Sequence, residues 1–157
     1  MQAILIVLGI YLFAAGSYAV YRLTGKRRIK NRIKSVRNSK EVSIEEFFEI
    51  RNAKKKRRGC PYYSLSKSVE GVYVVFNKTK NKYYVGQGID LFNRVNSHFT
   101  GKGNGDVYAD YKYGDKFTIK MIPLKKSGYK TLNALEKDAI FTYGAYATGY
   151  NKTRGNN

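Results

Sequence analysis

Cysteine, histidine and tryptophan are rare or missing in this chain. The single Cys60 excludes an internal disulfide framework, and with one His there is no Cys/His cluster of the kind that binds zinc. Trp is absent, whereas fifteen Tyr and eight Phe are present, which suits a small domain rich in strands. No internal repeat occurs, and 157 residues allow one compact domain plus a tail or anchor.

Acidic residues are also scarce. Eleven Asp and Glu stand against thirty Lys and Arg, a net charge of +19. Such a charge attracts polyanions, nucleic acid first and anionic lipid second. Residues 22–58 hold fifteen basic and four acidic side chains, or +11 of this total. The composition therefore indicates an anionic partner, and the positive charge that would attract it is concentrated in the N-terminal third. The composition does not indicate a reaction.

Residues 3–21 form a run of 19 uncharged, mostly apolar residues. At about 1.5 Å per residue this run approaches the roughly 30 Å hydrocarbon core of a bilayer. Residues 22–40 follow with nine basic and no acidic side chains. By the positive-inside rule we predict a single-pass transmembrane anchor over residues 1–22, with the C-terminal domain in the cytoplasm.

A cleaved signal peptide is the competing interpretation of the same run, because Ser17, Tyr18 and Ala19 resemble a small-residue processing site. The segment before the apolar run lacks Lys and Arg, and the basic cluster lies on its C-terminal side. Both features favour the anchor.

Residues 23–60 are interpreted as a basic juxtamembrane linker that contains a short helix. Ser43 and Glu46 have capping-box spacing, which predicts a helix over about 43–53. The basic run 54–58 suits anionic lipid headgroups, at about 1 kcal/mol per side chain near the surface, or the phosphates of DNA. Gly59, Cys60 and Pro61 indicate the boundary of a domain over residues 61–157.

This domain is predicted to be α+β. Residues 71–77 and 82–86 are β-rich and joined by a polar turn, and residues 116–122 form a third strand. Asp90 precedes a helix with apolar residues four apart, and a last helix is expected over about 131–145. The prediction is a small three-stranded antiparallel sheet flanked by helices.

The chain resembles the GIY-YIG nuclease superfamily over about residues 70–153. The motif stands as Gly71–Val72–Tyr73, ten intervening residues, and Tyr84–Val85–Gly86, with Val for Ile in both halves. An Arg follows eight residues beyond the last glycine. The positions that carry the resemblance are Gly71, Tyr73, Tyr84, Gly86, Arg94, His98, Glu136 and Asn151.

The resemblance implies an endonuclease that hydrolyses phosphodiester bonds of DNA. It implies that Glu136 binds one divalent cation, Mg²⁺ or another, and that Arg94 grips the scissile phosphate. His98 would hydrogen-bond the phosphate or the attacking water. Tyr73 and Tyr84 would face the same site, with Tyr73 helping to deprotonate water. No small-molecule cofactor is implied.

The remaining positions of the resemblance have supporting roles. Asn151 would brace the site by hydrogen bonding, and Gly71 and Gly86 would allow close backbone approach. Three basic side chains are expected to contact phosphates without reading sequence: Lys102, Lys152 and Arg154.

Each assignment has a structural alternative. Asn133 and Glu136 also have capping-box spacing, so that Glu136 could serve the helix alone. Arg94 could be an ordinary exposed arginine, His98 an aromatic neighbour of Phe99, and Asn151 part of a turn. A Tyr on a strand is most often there for packing.

One feature of some family members is missing from this chain. Some family members have a further His before the third strand, where this chain has Asn104 and Asp106. The domain also lacks an appended recognition module, which favours weak sequence selectivity. The alternative functions are a non-catalytic membrane tether that binds DNA and a peripheral lipid-binding protein.

Overall fold

The computed structural model describes residues 14–20, 23, 39–53 and 68–155. Within these ranges four strands form one antiparallel sheet: β1 (Glu41–Ser43), β2 (Gly71–Asn77), β3 (Lys82–Gly88) and β4 (Phe117–Pro123). Their order across the sheet is β1-β4-β2-β3. The α+β class and the antiparallel sheet are confirmed, but the predicted number of three strands is wrong.

The fourth strand comes from the segment interpreted as linker. In β1, Val42 stands opposite Ile119 of β4, and the helix α1 (Ile44–Ala53) follows at once. The Ser43 hydroxyl accepts from the Glu46 amide at 3.1 Å, as the capping-box spacing predicts. The helix buries Phe47 completely and Ile50 almost completely. Residues 41–53 therefore pack as part of the folded domain, because their apolar side chains complete its core.

The hairpin of β2 and β3 follows the predicted strands closely. Six of the seven residues of β2 are buried, which suits a central strand rich in Val and aromatic residues. In the turn, the Asn77 side chain accepts from the Lys80 amide at 3.0 Å, and Asn81 has a φ of 53°. Asn tolerates that left-handed conformation better than most residues. The register places Tyr73 opposite Gly86.

Helices cover both faces of the sheet. On one face Tyr73 and Val75 pack with α1, α2 (Leu91–Phe99) and α3 (Gly105–Lys112). On the other face Val72, Val74 and Val85 pack with the short α4 (Leu124–Ser127) and with α5 (Leu132–Thr142). Residues of one strand alternate between the faces, so that β2 contributes to both cores.

Capping residues define where α2 and α5 begin. The Asp90 side chain accepts from the Asn93 amide at 3.2 Å, as predicted. Thr131 is the N-cap of α5 and accepts from the Ala134 amide at 3.3 Å. Asn133 is thus inside the helix. The interpretation of Asn133 and Glu136 as a capping box is wrong.

The predicted anchor lies mostly outside the described residues. Residues 14–20 are helical, with Tyr18 62% and Val20 61% exposed. In the ranges given above, no helix combines the length and the apolar character that crossing a bilayer requires. The basic run 54–58 also falls outside these ranges. The anchor and its orientation stay predictions.

The packing of residues 41–53 leads to a first prediction. A chain that begins at residue 59 should be much less stable than one that begins at residue 39. Losing Phe47 alone from a core costs about 3–5 kcal/mol, and a small domain has only about 5–15 kcal/mol in total. Thermal melts followed by circular dichroism would measure the difference. Equal melting temperatures would show that β1 and α1 add nothing to the core.

Candidate active site

A hydrogen bond between Tyr73 and His98 lies at the centre of the site. Tyr73 comes from β2 and His98 from α2, and both side chains are buried, at 0% and 1% exposure. The Tyr73 hydroxyl lies 2.7 Å from His98 Nε2. The two residues are 25 positions apart in the chain, so the contact exists only because α2 packs on the central strand.

The other nitrogen of His98 is also engaged, and this determines where the ring proton lies. The Asn104 amide donates to His98 Nδ1 at 2.7 Å. A backbone amide can only donate, so Nδ1 must accept and the proton of the neutral ring is on Nε2. His98 therefore donates to the oxygen of Tyr73. The proton of the Tyr73 hydroxyl is left to point elsewhere.

Burial keeps His98 neutral. Its pKa is lowered from 6.5 to about 4, first because the ring is buried and second because the positive charge of Arg94 is near. Arg94 and His98 are four residues apart on α2, and the predicted proximity of guanidinium and imidazole is consistent with this effect. Arg94 is exposed, so its guanidinium is accessible from solvent.

Tyr84 completes an aromatic group around His98. Its ring centroid lies 4.8 Å from that of His98 and 6.1 Å from that of Tyr73. Burial raises the pKa of Tyr84, whereas its hydrogen bond with Tyr73 and the charge of Arg94 lower it. Burial also raises the pKa of Tyr73 well above 10, with a smaller increase from Tyr84 and an opposing effect of Arg94. Both tyrosines are protonated near neutral pH.

Glu136 reaches this group from the helix on the other side of the sheet. It lies in α5 and is only 7% exposed. Its negative charge contributes to the raised pKa of Tyr84, so the carboxylate is within electrostatic range of that hydroxyl. A carboxylate that is almost buried and within electrostatic range of a tyrosine is unusual for a residue with a purely structural role.

Asn151 binds the edge strand rather than the reacting groups. Its Oδ1 accepts from the Val85 amide, and its Nδ2 donates to the Val85 carbonyl, both at 2.8 Å. The side chain thus pairs with β3 as a neighbouring strand would. Val85 lies between Tyr84 and Gly86, so the predicted bracing role of Asn151 agrees with its contacts.

The two motif glycines stand where a side chain has no space. A Cβ on Gly86 would lie 2.3 Å from the Tyr73 hydroxyl oxygen and 2.6 Å from Cζ. A Cβ on Gly71 would lie 2.3 Å from the carbonyl oxygen of Ile122 in β4. Gly86 therefore allows the Tyr73 ring to cross β3, and Gly71 allows the close approach of β4.

The three predicted phosphate contacts are exposed but do not converge on one point. Lys102 follows α2 at the surface, and Lys152 Nζ lies 3.8 Å from a carboxylate oxygen of Asp106. The Arg154 guanidinium lies over the ring of Tyr146, 5.3 Å from its centroid.

Sequence reasoning missed the role of Gly103 and Asn104. Besides donating to His98, Asn104 is the N-cap of α3, where its side chain accepts from the amides of Asp106 and Val107 at 3.0 Å. A Cβ on Gly103 would lie 2.4 Å from His98 Nδ1, so only glycine lets the loop approach the ring. An Asn before an Asp in a first turn is a helix-start signal that could have revealed the cap.

The family model of the GIY-YIG catalytic domain matches residues 69–151, more than half of the chain. The chain belongs to the GIY-YIG family. This membership identifies it as a nuclease-type enzyme and implies DNA as its substrate. No curated protein and no solved structure gives a significant match. The matched residues include the Tyr73–His98 pair, Tyr84, Arg94, Glu136 and Asn151.

A metal site in this GIY-YIG domain would depend on one carboxylate. In the part of the chain that the structure describes, no group of three or more His, Cys, Asp and Glu residues could hold an ion. Mg²⁺ often keeps several waters and binds through one or two carboxylates and a substrate phosphate. Glu136 suits that coordination, and the described residues offer no site with several protein ligands.

The neutral state of His98 predicts how stability depends on pH. The unfolded ring has a pKa of 6.5 and the folded ring one of about 4, so across this window only the unfolded state gains the proton. The stabilisation that comes from keeping His98 neutral is fully present above the unfolded pKa of 6.5. It is lost as the pH falls toward the folded pKa of about 4, by at most about 1.4 kcal/mol per pH unit. Denaturant unfolding at several pH values would measure it.

The control for this prediction is His98→Gln, which cannot take up the proton. The wild-type protein should lose its advantage in unfolding free energy over His98→Gln as the pH is lowered through the window. A difference between the two proteins that stays constant would contradict the lowered pKa of His98.

Proposed function

We propose that this chain is an endonuclease that hydrolyses phosphodiester bonds of DNA with the help of one divalent cation, Mg²⁺ by preference. The observation that carries the proposal is the hydrogen-bonded pair of Tyr73 and His98, with Arg94 within electrostatic range of Tyr73 and Tyr84 and Glu136 within range of Tyr84. Hydrolysis of a phosphodiester needs a base that takes the proton of the attacking water and a cationic side chain that neutralises the phosphate. It also needs a metal ion that stabilises the leaving oxygen.

Glu136 is the proposed ligand of the cation. Its carboxylate is almost buried, so its charge is held in a fixed position beside Tyr84. A bound ion would polarise the phosphate and lower the pKa of its waters. The family implies this role, and the buried position of Glu136 supports it.

Tyr73 is proposed to act as the general base: its hydroxyl first loses its own proton to solvent, and the resulting phenolate then takes the proton of the attacking water. Its hydroxyl already accepts from His98 Nε2, and that donor would stabilise the phenolate. Burial opposes ionisation, since it raises the pKa of Tyr73. The role therefore requires positive charge nearby, which Arg94 supplies in part and a cation would supplement. Tyr84 would orient the same water.

Arg94 is proposed to bind the scissile phosphate. Its guanidinium is exposed to solvent yet acts on the pKa of Tyr73, Tyr84 and His98. It therefore lies on the solvent side of these buried groups. A guanidinium can bind two phosphate oxygens at once, which a lysine cannot do. Lys102, Lys152 and Arg154 would add contacts that carry no sequence information.

The proposed location is the cytoplasmic face of a membrane. The support is the apolar run 3–21 and the nine basic residues that follow it. The basic linker would lie against anionic headgroups. An enzyme held there is suited to DNA that enters the cell, for example from phage or mobile elements.

The decisive test is cleavage of supercoiled plasmid by the full chain in detergent. With Mg²⁺ we expect nicked or linear product, and with EDTA we expect none. Full activity in EDTA would remove the cation from the proposal. DNA binding without cleavage under both conditions would favour the alternative, a membrane tether without catalysis.

A further inference from the structure

A cleft of about 550 Å³ borders the C-terminal half of α5, away from the group around His98. Phe141 follows Glu136 by five residues, which corresponds to a rotation of about 140° around the helix axis. The two side chains therefore point to different sides of α5. Gly144, with a φ of 61°, ends the helix and turns the chain back. The residues that line the cleft include Lys137, Ile140, Phe141, Gly144, Tyr146 and Arg154.

Two aromatic rings of this cleft are open to solvent. Phe141 is 88% exposed and Tyr146 is 44% exposed. A phenyl ring on the outside of a helix is poorly hydrated, and grouped exposed apolar surface of this kind marks an interaction site. The rings therefore indicate a partner that presents flat, apolar surface.

The charge around the rings restricts the partner further. The Arg154 guanidinium stacks on Tyr146 at 5.3 Å from the centroid, and Lys137 lines the cleft next to Phe141. The one acidic side chain that borders it, Asp138, accepts a hydrogen bond from the Tyr129 hydroxyl at 2.8 Å. Exposed rings flanked by two cationic side chains favour an anionic ligand with an aromatic part.

Single-stranded DNA has both properties in each nucleotide. An unpaired base stacks on an aromatic side chain, and its phosphate pairs with a nearby Lys or Arg. In a duplex the faces of the bases are covered by their neighbours, so the rings would have nothing to contact. A lipid surface could pair with the cations and take the rings into its interfacial region, so vesicles of anionic lipid are the competing ligand in the test.

We propose that this cleft binds an unpaired nucleotide of single-stranded DNA, with the base on Phe141 and the phosphate on Arg154 or Lys137. The inference rests on the proposed function, since it adds a second DNA contact to a nuclease. It predicts that the DNA substrate has a single-stranded portion next to the duplex that is cut. The cleft and the site share α5, so one DNA molecule would contact both sides of this helix.

The test uses Phe141→Trp, because the chain contains no other Trp and the new indole reports directly on the cleft. The probe is short oligothymidylate, added to the full chain in detergent. Stacking of a thymine should quench the indole fluorescence, and the quenching should saturate. No quenching, or quenching by vesicles of anionic lipid and not by the oligonucleotide, would overturn the proposal.

A matched pair of alanine variants provides the second measurement. Phe141→Ala should weaken oligothymidylate binding about 5- to 100-fold, the usual effect of removing one stacking ring. Tyr113→Ala is the control, because Tyr113 is 89% exposed but follows α3 outside the cleft. Its effect should stay within about twofold, as for ordinary surface substitutions. Equal losses in both variants would contradict a specific role of the cleft.

Cleavage of linear duplex DNA separates this proposal from the proposed function. A wild-type protein that cuts duplex DNA but shows no quenching in its Trp variant would overturn the cleft and leave the nuclease. Quenching with no cleavage by the wild type would overturn the nuclease and leave a DNA-binding cleft.

Discussion

Glu136→Gln should lower plasmid cleavage by about three orders of magnitude or more while leaving DNA affinity and the melting temperature almost unchanged. The amide keeps the shape of the side chain but removes the charge that would hold a cation. A metal ion contributes several kcal/mol to stabilising a phosphoryl transition state, and each 1.4 kcal/mol or so is a factor of ten in rate. Cleavage rate, binding affinity and melting temperature would be measured for the same preparations.

Two variants make this result interpretable. Glu70→Gln removes one negative charge from an exposed position at the start of β2 and should cut as the wild type does. Arg94→Ala should lower both DNA affinity and turnover, since it removes a phosphate contact. Because Thr131 caps α5, loss of a helix cap cannot explain a defect in Glu136→Gln. Cutting by Glu136→Gln at a rate near that of the wild type would defeat its assignment as the ligand.

The central strands could be predicted because their pattern is local. Residues 71–77 are a run of β-branched and aromatic side chains that ends in a turn with two Asn, and β2 has the predicted bounds. The helix starts at Ser43 and Asp90 were also predicted, since a cap and its acceptor are only three residues apart. Signals of this kind do not depend on the rest of the fold.

Strand β1 could not be predicted for the opposite reason. It has three residues, of which only Val42 is buried, and its existence depends on pairing with β4 some 77 positions later in the chain. The apolar pattern of helix α3 is weak, since only Val107 of its eight residues is buried. Nothing within β1 distinguishes it from a polar loop, and the one local signal for α3 is the start formed by Asn104 and Asp106.

In the active site, too, local sequence signals identify some features and only the fold determines the others. Tyr73, Tyr84, Arg94, His98 and Glu136 were found through spacing and resemblance, which identify residues but not the contacts between them. The state of His98 depends on the Asn104 amide, and the direction of a backbone amide follows from the path of a loop. Sequence can identify the histidine as a candidate. The position of its ring proton depends on the Asn104 amide, which reaches the ring because Gly103 lets the loop pass close beside it.

The second large effect is expected from Gly86→Ala, although it adds only one uncharged methyl group. That methyl group would lie 2.3 Å from the Tyr73 oxygen and 2.6 Å from Cζ, so the ring must move. The ring is fully buried and hydrogen-bonded to His98, so it cannot rotate into solvent. A displacement of about 1 Å in a catalytic group can lower the rate about a hundredfold, and we expect a loss of that size or larger.

Gly105→Ala is the matched control for this substitution, because a Cβ at Gly105 meets nothing within 4 Å. It should retain wild-type cleavage. In Gly86→Ala the shifted tyrosine should also leave a trace apart from activity. Nitrogen NMR shifts of the His98 ring should change as the bond from Nε2 to Tyr73 lengthens, whereas the bond from the Asn104 amide to Nδ1 remains. Wild-type cleavage by Gly86→Ala with unchanged ring shifts would show that Tyr73 need not cross β3 at this point, and would remove the geometric basis for its role.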